Sequence, residues 1–322
     1  MSLERMMNGF KKLASTLLLL SPSSVFAQSN LDIVLPSTHV HSHQVDSDQE
    51  AKVWSGKVLT NLNLDNKSSI ADTLTSITGV SNSSFGPVVG RPVVRGMDGE
   101  RIKILQNGLG NLDVSSLSAD HGVSIDPLIV EKIELIRGPA ALMYGEGVVG
   151  GVVNAIDYRI HKEAFTGISG KAESRYDSVN QGKSNVALVD FGFSSLIFHI
   201  DAYNRSTGNL SIPNYAESKY IMNNNPPQNK GVLLNSSSNS YGGAIGVSMI
   251  FDNAYAGISF SNHNLNYGSP KEETVRLDMQ SNRLEFNAEV KELPGPLNSV
   301  KIKLSNTDYK HNEMESNIIN TT

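Results

Sequence analysis

From about residue 165 onward the chain alternates with a period of two, and few folds can accommodate that pattern. In Leu196–Arg205, Leu196, Phe198, Ile200 and Ala202 fall on one side of an extended chain, and His199, Asp201 and Arg205 on the other. Leu284, Phe286, Ala288 and Val290 oppose Arg283, Glu285, Asn287 and Glu289 in the same way, and Val300, Ile302 and Leu304 alternate with Lys301 and Lys303. In Gly167–Asp177 the polar set Lys171, Glu173, Arg175 and Asp177 alternates with Ile168, Ala172 and Tyr176. Apolar residues on one face and charged ones on the other, over ~10 residues, are what a membrane-spanning barrel strand requires. A soluble β-sandwich alternates too. What favours the barrel is an export signal and the polar stretch at 206–240, which reads as a long loop.

The export signal occupies residues 1–27. Arg5, Lys11 and Lys12 form a positive region, Leu13–Leu20 a short apolar core, and Val25-Phe26-Ala27 a small-x-small cleavage pattern. No later stretch reaches the ~18 uninterrupted apolar residues of a membrane helix. The chain has no cysteine, which excludes disulfides and thiolate metal sites. At a net charge of −5 and 18% charged residues it shows no basic excess pointing to nucleic acid.

Between the signal and the alternating region lie two further segments. Residues 28–60 are polar and irregular and read as an N-terminal arm. From Ser69, IADTLTSITGV predicts a short helix with Ile70, Leu74 and Ile77 on one face, Ser68 or Ser69 as N-cap and Gly79 as its stop. Short apolar runs then alternate with Gly-rich turns: Val93–Val94, Ile102–Leu105, Val130–Ile136 and Val148–Val153. These predict a compact α+β unit. Gly145, Gly147 and Gly150 satisfy the G-x-G-x-x-G string, but the β-branched series after them is a poor helix opener, so a dinucleotide site is rejected. No Ser-His-Asp elbow or H-E-x-x-H motif appears, and an enzyme is not expected.

The ordered set PVVRG, RIKILQNG, VEKIELIRGPAALMYG and GGVVN resembles the plug of TonB-dependent outer-membrane receptors. The implied fold is an α+β plug followed by antiparallel transmembrane β-barrel strands. Its division is signal 1–27, periplasmic arm 28–60, plug 61–160 and first part of the barrel 161–322. About seven strands are expected between residues 166 and 310, whereas plugged transporters use ~22, so the barrel is expected to be incomplete and the chain a fragment or a truncated frame.

DVSSLSADHGVSIDP (Asp113–Pro127) resembles the plug loop of the zinc-uptake subgroup. That resemblance implies a metal site at Asp120 and His121, with zinc as transported cargo and not as resident cofactor. Imidazole and carboxylate are suitable zinc ligands. His311, Glu313 and Glu315 in the last loop form a weaker candidate cluster at i, i+2 and i+4. His39, His41 and His43 alternate in the arm, either as incidental tail residues or as metal collectors. Leu31, Asp32, Ile33, Val34 and Leu35 resemble a TonB box, an extended segment that adds a strand to TonB, which is coupled to inner-membrane motor proteins. Arg95 and Arg137 are assigned, by the resemblance, to ion pairs between plug and barrel. The expected function is therefore TonB-driven uptake of scarce metal, most simply zinc, across the outer membrane, with outer-membrane lipid, TonB and the metal as partners. The alternatives are a ferric siderophore or haem receptor, or a non-transporting plug-bearing fragment.

Overall fold

The structure, a computed structural model, describes residues 57–60, 67–145, 147–218, 220, 222, 229–294 and 297–315. The signal, the Leu31–Leu35 segment and His39, His41 and His43 lie outside the described residues. Two sheets dominate. The first has strand order β1-β6-β7-β4-β5, formed by β1 (Lys57–Thr60), β4 (Ile102–Gln106), β5 (Leu109–Gly110), β6 (Lys132–Ile136) and β7 (Gly151–Ile156). β4 and β7 run parallel, while the other pairs are antiparallel. The last four residues of the stretch read as an irregular arm are thus an edge strand of this sheet.

The predicted helix is α1 (Ile70–Leu74), capped by Ser69, whose Oγ accepts from the Asp72 amide at 3.1 Å. Ile70, Leu74 and Ile77 pack with Val94, Ile133, Leu135 and Val153 into the largest apolar cluster. The hairpin β2 (Val80–Ser84) and β3 (Gly90–Val94) stands beside it. After Gly145 and Gly147, both at positive φ, the chain enters strand β7 and not the helix that a dinucleotide motif requires.

The second sheet has seven strands in the order β16-β15-β14-β13-β10-β9-β8, all antiparallel: β8 (Gly167–Asp177), β9 (Gly182–Phe193), β10 (Leu196–Thr207), β13 (Ser238–Phe251), β14 (Ala254–Ser269), β15 (Glu272–Lys291) and β16 (Ser299–Glu315). Among the described residues β8 and β16 each pair on one side only, so the sheet is not closed. Its polarity is inverted relative to a soluble protein. On β10, Ile200 is 51% exposed on the convex face while Asp201 is 6% exposed on the concave face. Leu284 likewise faces out, and Arg283 and Glu285 face in. That is the expected barrel wall, with apolar side chains toward lipid and charges toward a filled interior.

The α+β unit fills the concave side. Leu128 packs on Val186 and Tyr203, and Val89 on Leu265, Tyr267, Leu277 and Met279. The 206–240 stretch is not wholly loop. It contains a hairpin, β11 (Leu210–Tyr215) with β12 (Lys230–Leu233), because Leu210, Ile212, Val232 and Leu233 give two short strands enough apolar character to pair.

Candidate functional site

The plug loop after β5 is organised by one carboxylate. Asp113 accepts hydrogen bonds from the Ser115 amide at 3.0 Å and the Ser124 amide at 3.1 Å, which ties both ends of the loop to a single side chain. Between those ends, Asp120 Oδ1 lies 2.9 Å from His121 Nδ1 and also accepts from the Ser118 hydroxyl. A carboxylate can only accept, so Nδ1 of neutral His121 carries the proton and Nε2 keeps its lone pair for a ligand. Burial pushes the Asp120 carboxyl up, but the hydrogen bonds from Ser118 and His121 outweigh it and hold the group below the usual carboxylate range.

The barrel wall supports the pair directly. Tyr267 on β14 accepts from the Gly122 amide at 3.0 Å through its hydroxyl and donates to the Asp120 carbonyl at 3.3 Å. His311 on β16 brings its ring to 4.4 Å from that of His121, centroid to centroid, and the Tyr309 ring lies near-parallel to it at 6.3 Å. His311 Nε2 is buried and has no protein hydrogen-bond partner. An orphaned imidazole nitrogen beside a second imidazole and a carboxylate suits a metal ion or a metal-bearing ligand, since buried polar atoms otherwise find partners.

The segment carrying His311, Glu313 and Glu315 is strand, not the loop read from the sequence. The i, i+2, i+4 spacing therefore puts all three on one sheet face, but only His311 meets Asp120 and His121; Glu313 and Glu315 lie farther along the strand and are exposed. Tyr267 and Tyr309 were not among the residues singled out, because nothing local in their strands distinguishes them from other inward positions.

Arg95 sits exposed at a turn with φ of 51°, its amide donating to the Gly79 carbonyl, and Arg137 reaches the Thr78 carbonyl at 3.4 Å. Among the described residues Arg95 makes no ion pair to a wall glutamate. One plug–wall ion pair among the described residues has the opposite sense: plug Asp126 faces wall Arg205 at 3.4 Å and accepts from Ser240 Oγ at 2.8 Å. In the segment joining plug to wall, Arg159 forks onto Asp201 at 2.8 and 3.1 Å. Burial would lower the Arg159 pKa, but Asp157 and Asp201 raise it above the usual arginine value and the guanidinium stays charged.

Residues 44–152 match the TonB-dependent Receptor Plug Domain family. Hemin receptors of Yersinia pestis and Yersinia enterocolitica are 34% and 33% identical over 113 and 115 residues, 30% and 31% of this chain. The chain spans 16% of the length of each of these relatives. The copper transporter OprC is similar in structure at a TM-score of 0.63 and 18% identity, covering 80% of this chain and 37% of that one. The hemophore receptor HasR of Serratia marcescens, solved with its hemophore HasA and heme, gives 0.64 at 16% identity, covering 81% and 39%. The siderophore receptor PirA of Acinetobacter baumannii gives 0.59 at 19%, covering 84% and 42%. Residues 44–152 thus match the plug-domain family, and the wall strands that follow share the fold of these outer-membrane β-barrel structures. The named relatives are receptors and transporters.

Proposed function

We propose that this chain is the plug and adjoining wall of a TonB-dependent receptor that takes up a metal-bearing cargo through the outer membrane. The observation that carries this reading is a plug loop presenting Asp120 and His121 against His311 of the wall. The site lies toward the end of the sheet from which the long 208–237 connection leaves; in outer-membrane barrels the longer loops face the medium. Cargo bound there would sit on the plug, and displacing the plug would open a path inward. Leu31–Leu35 would supply the handle by adding a strand to TonB. Arg95 and Arg137 would contribute to plug retention.

The similarities favour haem or a ferric siderophore over zinc as cargo. The two Yersinia relatives are hemin receptors, and HasR and PirA are receptors for a hemophore and a siderophore. A second reading, the bare ion, rests on the geometry: a carboxylate and two imidazoles with free nitrogens suit zinc without a porphyrin or chelate around it. Growth of a receptor-deleted host under separate iron and zinc limitation, complemented with the full-length gene, distinguishes them. Rescue by haem or chelated iron supports the first reading and rescue by zinc alone the second. Failure of both, with the protein present in the outer membrane, rejects the function.

A further inference from the structure

The chain holds eight histidines, and His39, His41 and His43 lie in the arm. Two of the others form the pair described above. His161 and His199 form another pair, toward the opposite end of the sheet. We propose that His161, Asp190 and His199 form a second divalent-metal site, of the zinc class, that fastens the segment leaving the plug to the barrel wall.

The three residues come from three separate pieces of chain. His161 belongs to the link between β7 and β8, Asp190 to β9 and His199 to β10. Each offers one ligand atom, and these atoms all lie within 4.8 Å of one another. Asp190 Oδ1 stands 2.8 Å from His161 Nε2 and 2.6 Å from His199 Nδ1. Zinc holds nitrogen and oxygen at about 2 Å, which sets its ligand atoms roughly 3–4 Å apart, so small side-chain rotations suffice to admit an ion. Two imidazoles and one carboxylate with a fourth position open are a recognised zinc ligand set, whereas calcium and magnesium prefer oxygen throughout.

The surroundings are arranged as support for such a site. His199 Nε2 faces Asp201 Oδ2 at 3.0 Å, and Asp201 is itself gripped by Arg159. An ionised Asp201 accepts the Nε2 proton, leaving Nδ1 of neutral His199 with its lone pair directed at Asp190 and His161. This is the carboxylate–histidine arrangement that orients metal-bound imidazoles. Charge points the same way. Asp157 and Asp201 both contact the Arg159 guanidinium, and Asp190 is buried against the two imidazoles, so with neutral imidazoles the group carries two negative charges that one divalent ion would balance. The link is also pressed flat on the wall: the His161 amide donates to Ser248 Oγ at 2.8 Å, and a Cβ on Gly246 would meet the Arg159 carbonyl oxygen at 2.2 Å. His161 is therefore held in place before any ion arrives.

The proposal does not depend on the external site, and its test separates the two. The full chain is prepared in detergent with Asp120→Ala, His121→Ala, His39→Asn, His41→Asn and His43→Asn, stripped with chelator and dialysed against zinc. It should retain one zinc ion per chain and, loaded with cobalt, show visible absorption from a site with nitrogen ligands. Adding His161→Gln, a change in the half-buried link, should abolish both signals while the far-ultraviolet circular dichroism spectrum is unchanged. Asp201→Asn, which keeps all three ligands but frees the His199 tautomer, should weaken binding roughly 10–100-fold. No zinc retained in the background variant, or an unchanged stoichiometry after His161→Gln, overturns the proposal; in either case the cluster is held by protons alone.

Discussion

The His121 ring on the plug stands 4.4 Å from the His311 ring on the wall, tilted by 40°, though 190 positions separate them in the chain. Neither residue alone would make a metal site; the proposed site exists only while plug and wall are docked.

Metal or cargo affinity should therefore depend on both sides of that contact. His311→Ala is expected to weaken zinc binding at the external site by more than the roughly 10–100-fold that loss of a supporting hydrogen bond costs. A double-mutant cycle with His121→Ala, read by equilibrium dialysis, should be strongly non-additive. Additive losses would mean that the two rings do not share a ligand.

The acid dependence of the plug loop follows from Asp120. Its folded pKa lies below the unfolded value, so its stabilisation of the loop is fully present above about pH 4 and is lost as pH falls through the folded pKa. The protection factor of the Gly122 amide should be constant from neutrality down to that range and then fall; Asp120→Asn should remove the acid-dependent part. A ligating imidazole must be neutral, so metal should leave earlier, as pH drops through the usual histidine range.

Arg205→Met should leave Asp126 buried without its cation. Breaking a buried pair this way costs about 3–5 kcal/mol. The expected result is a lower denaturant midpoint for the plug in detergent, partly restored by Asp126→Asn. An unchanged midpoint would show that the Ser240 and Leu128 hydrogen bonds to Asp126 suffice.

On the outer face, Ile200→Arg should cost ~2–4 kcal/mol if the residue lies near the bilayer midplane, and less near either interface. Folding yield into lipid vesicles measures this. A neutral outcome would mean that the convex face does not meet lipid.

Much of the wall was readable from the sequence because burial on one side and lipid on the other impose a strict period. Ile200 against Asp201 and Leu284 against Arg283 are each visible within ten residues. The helix from Ile70 was readable through its spacing and its Ser69 cap. The meeting of His121 with His311 was not, since it depends on strand register set across the whole sheet. The parallel pairing of β4 with β7 was hidden too, because apolar runs do not disclose their partners. Glu313 and Glu315, the weaker candidates, show a related limit: a shared face does not bring side chains to a shared point.

β1 joins its sheet through four paired positions to β6 alone, and at the margin. Tension arriving from the N-terminal side would reach that ribbon before any other element of the plug. Four rungs can part while the remaining strands hold, so β1 is built like a tear strip, and the first yield under load would be local, small and able to re-zip.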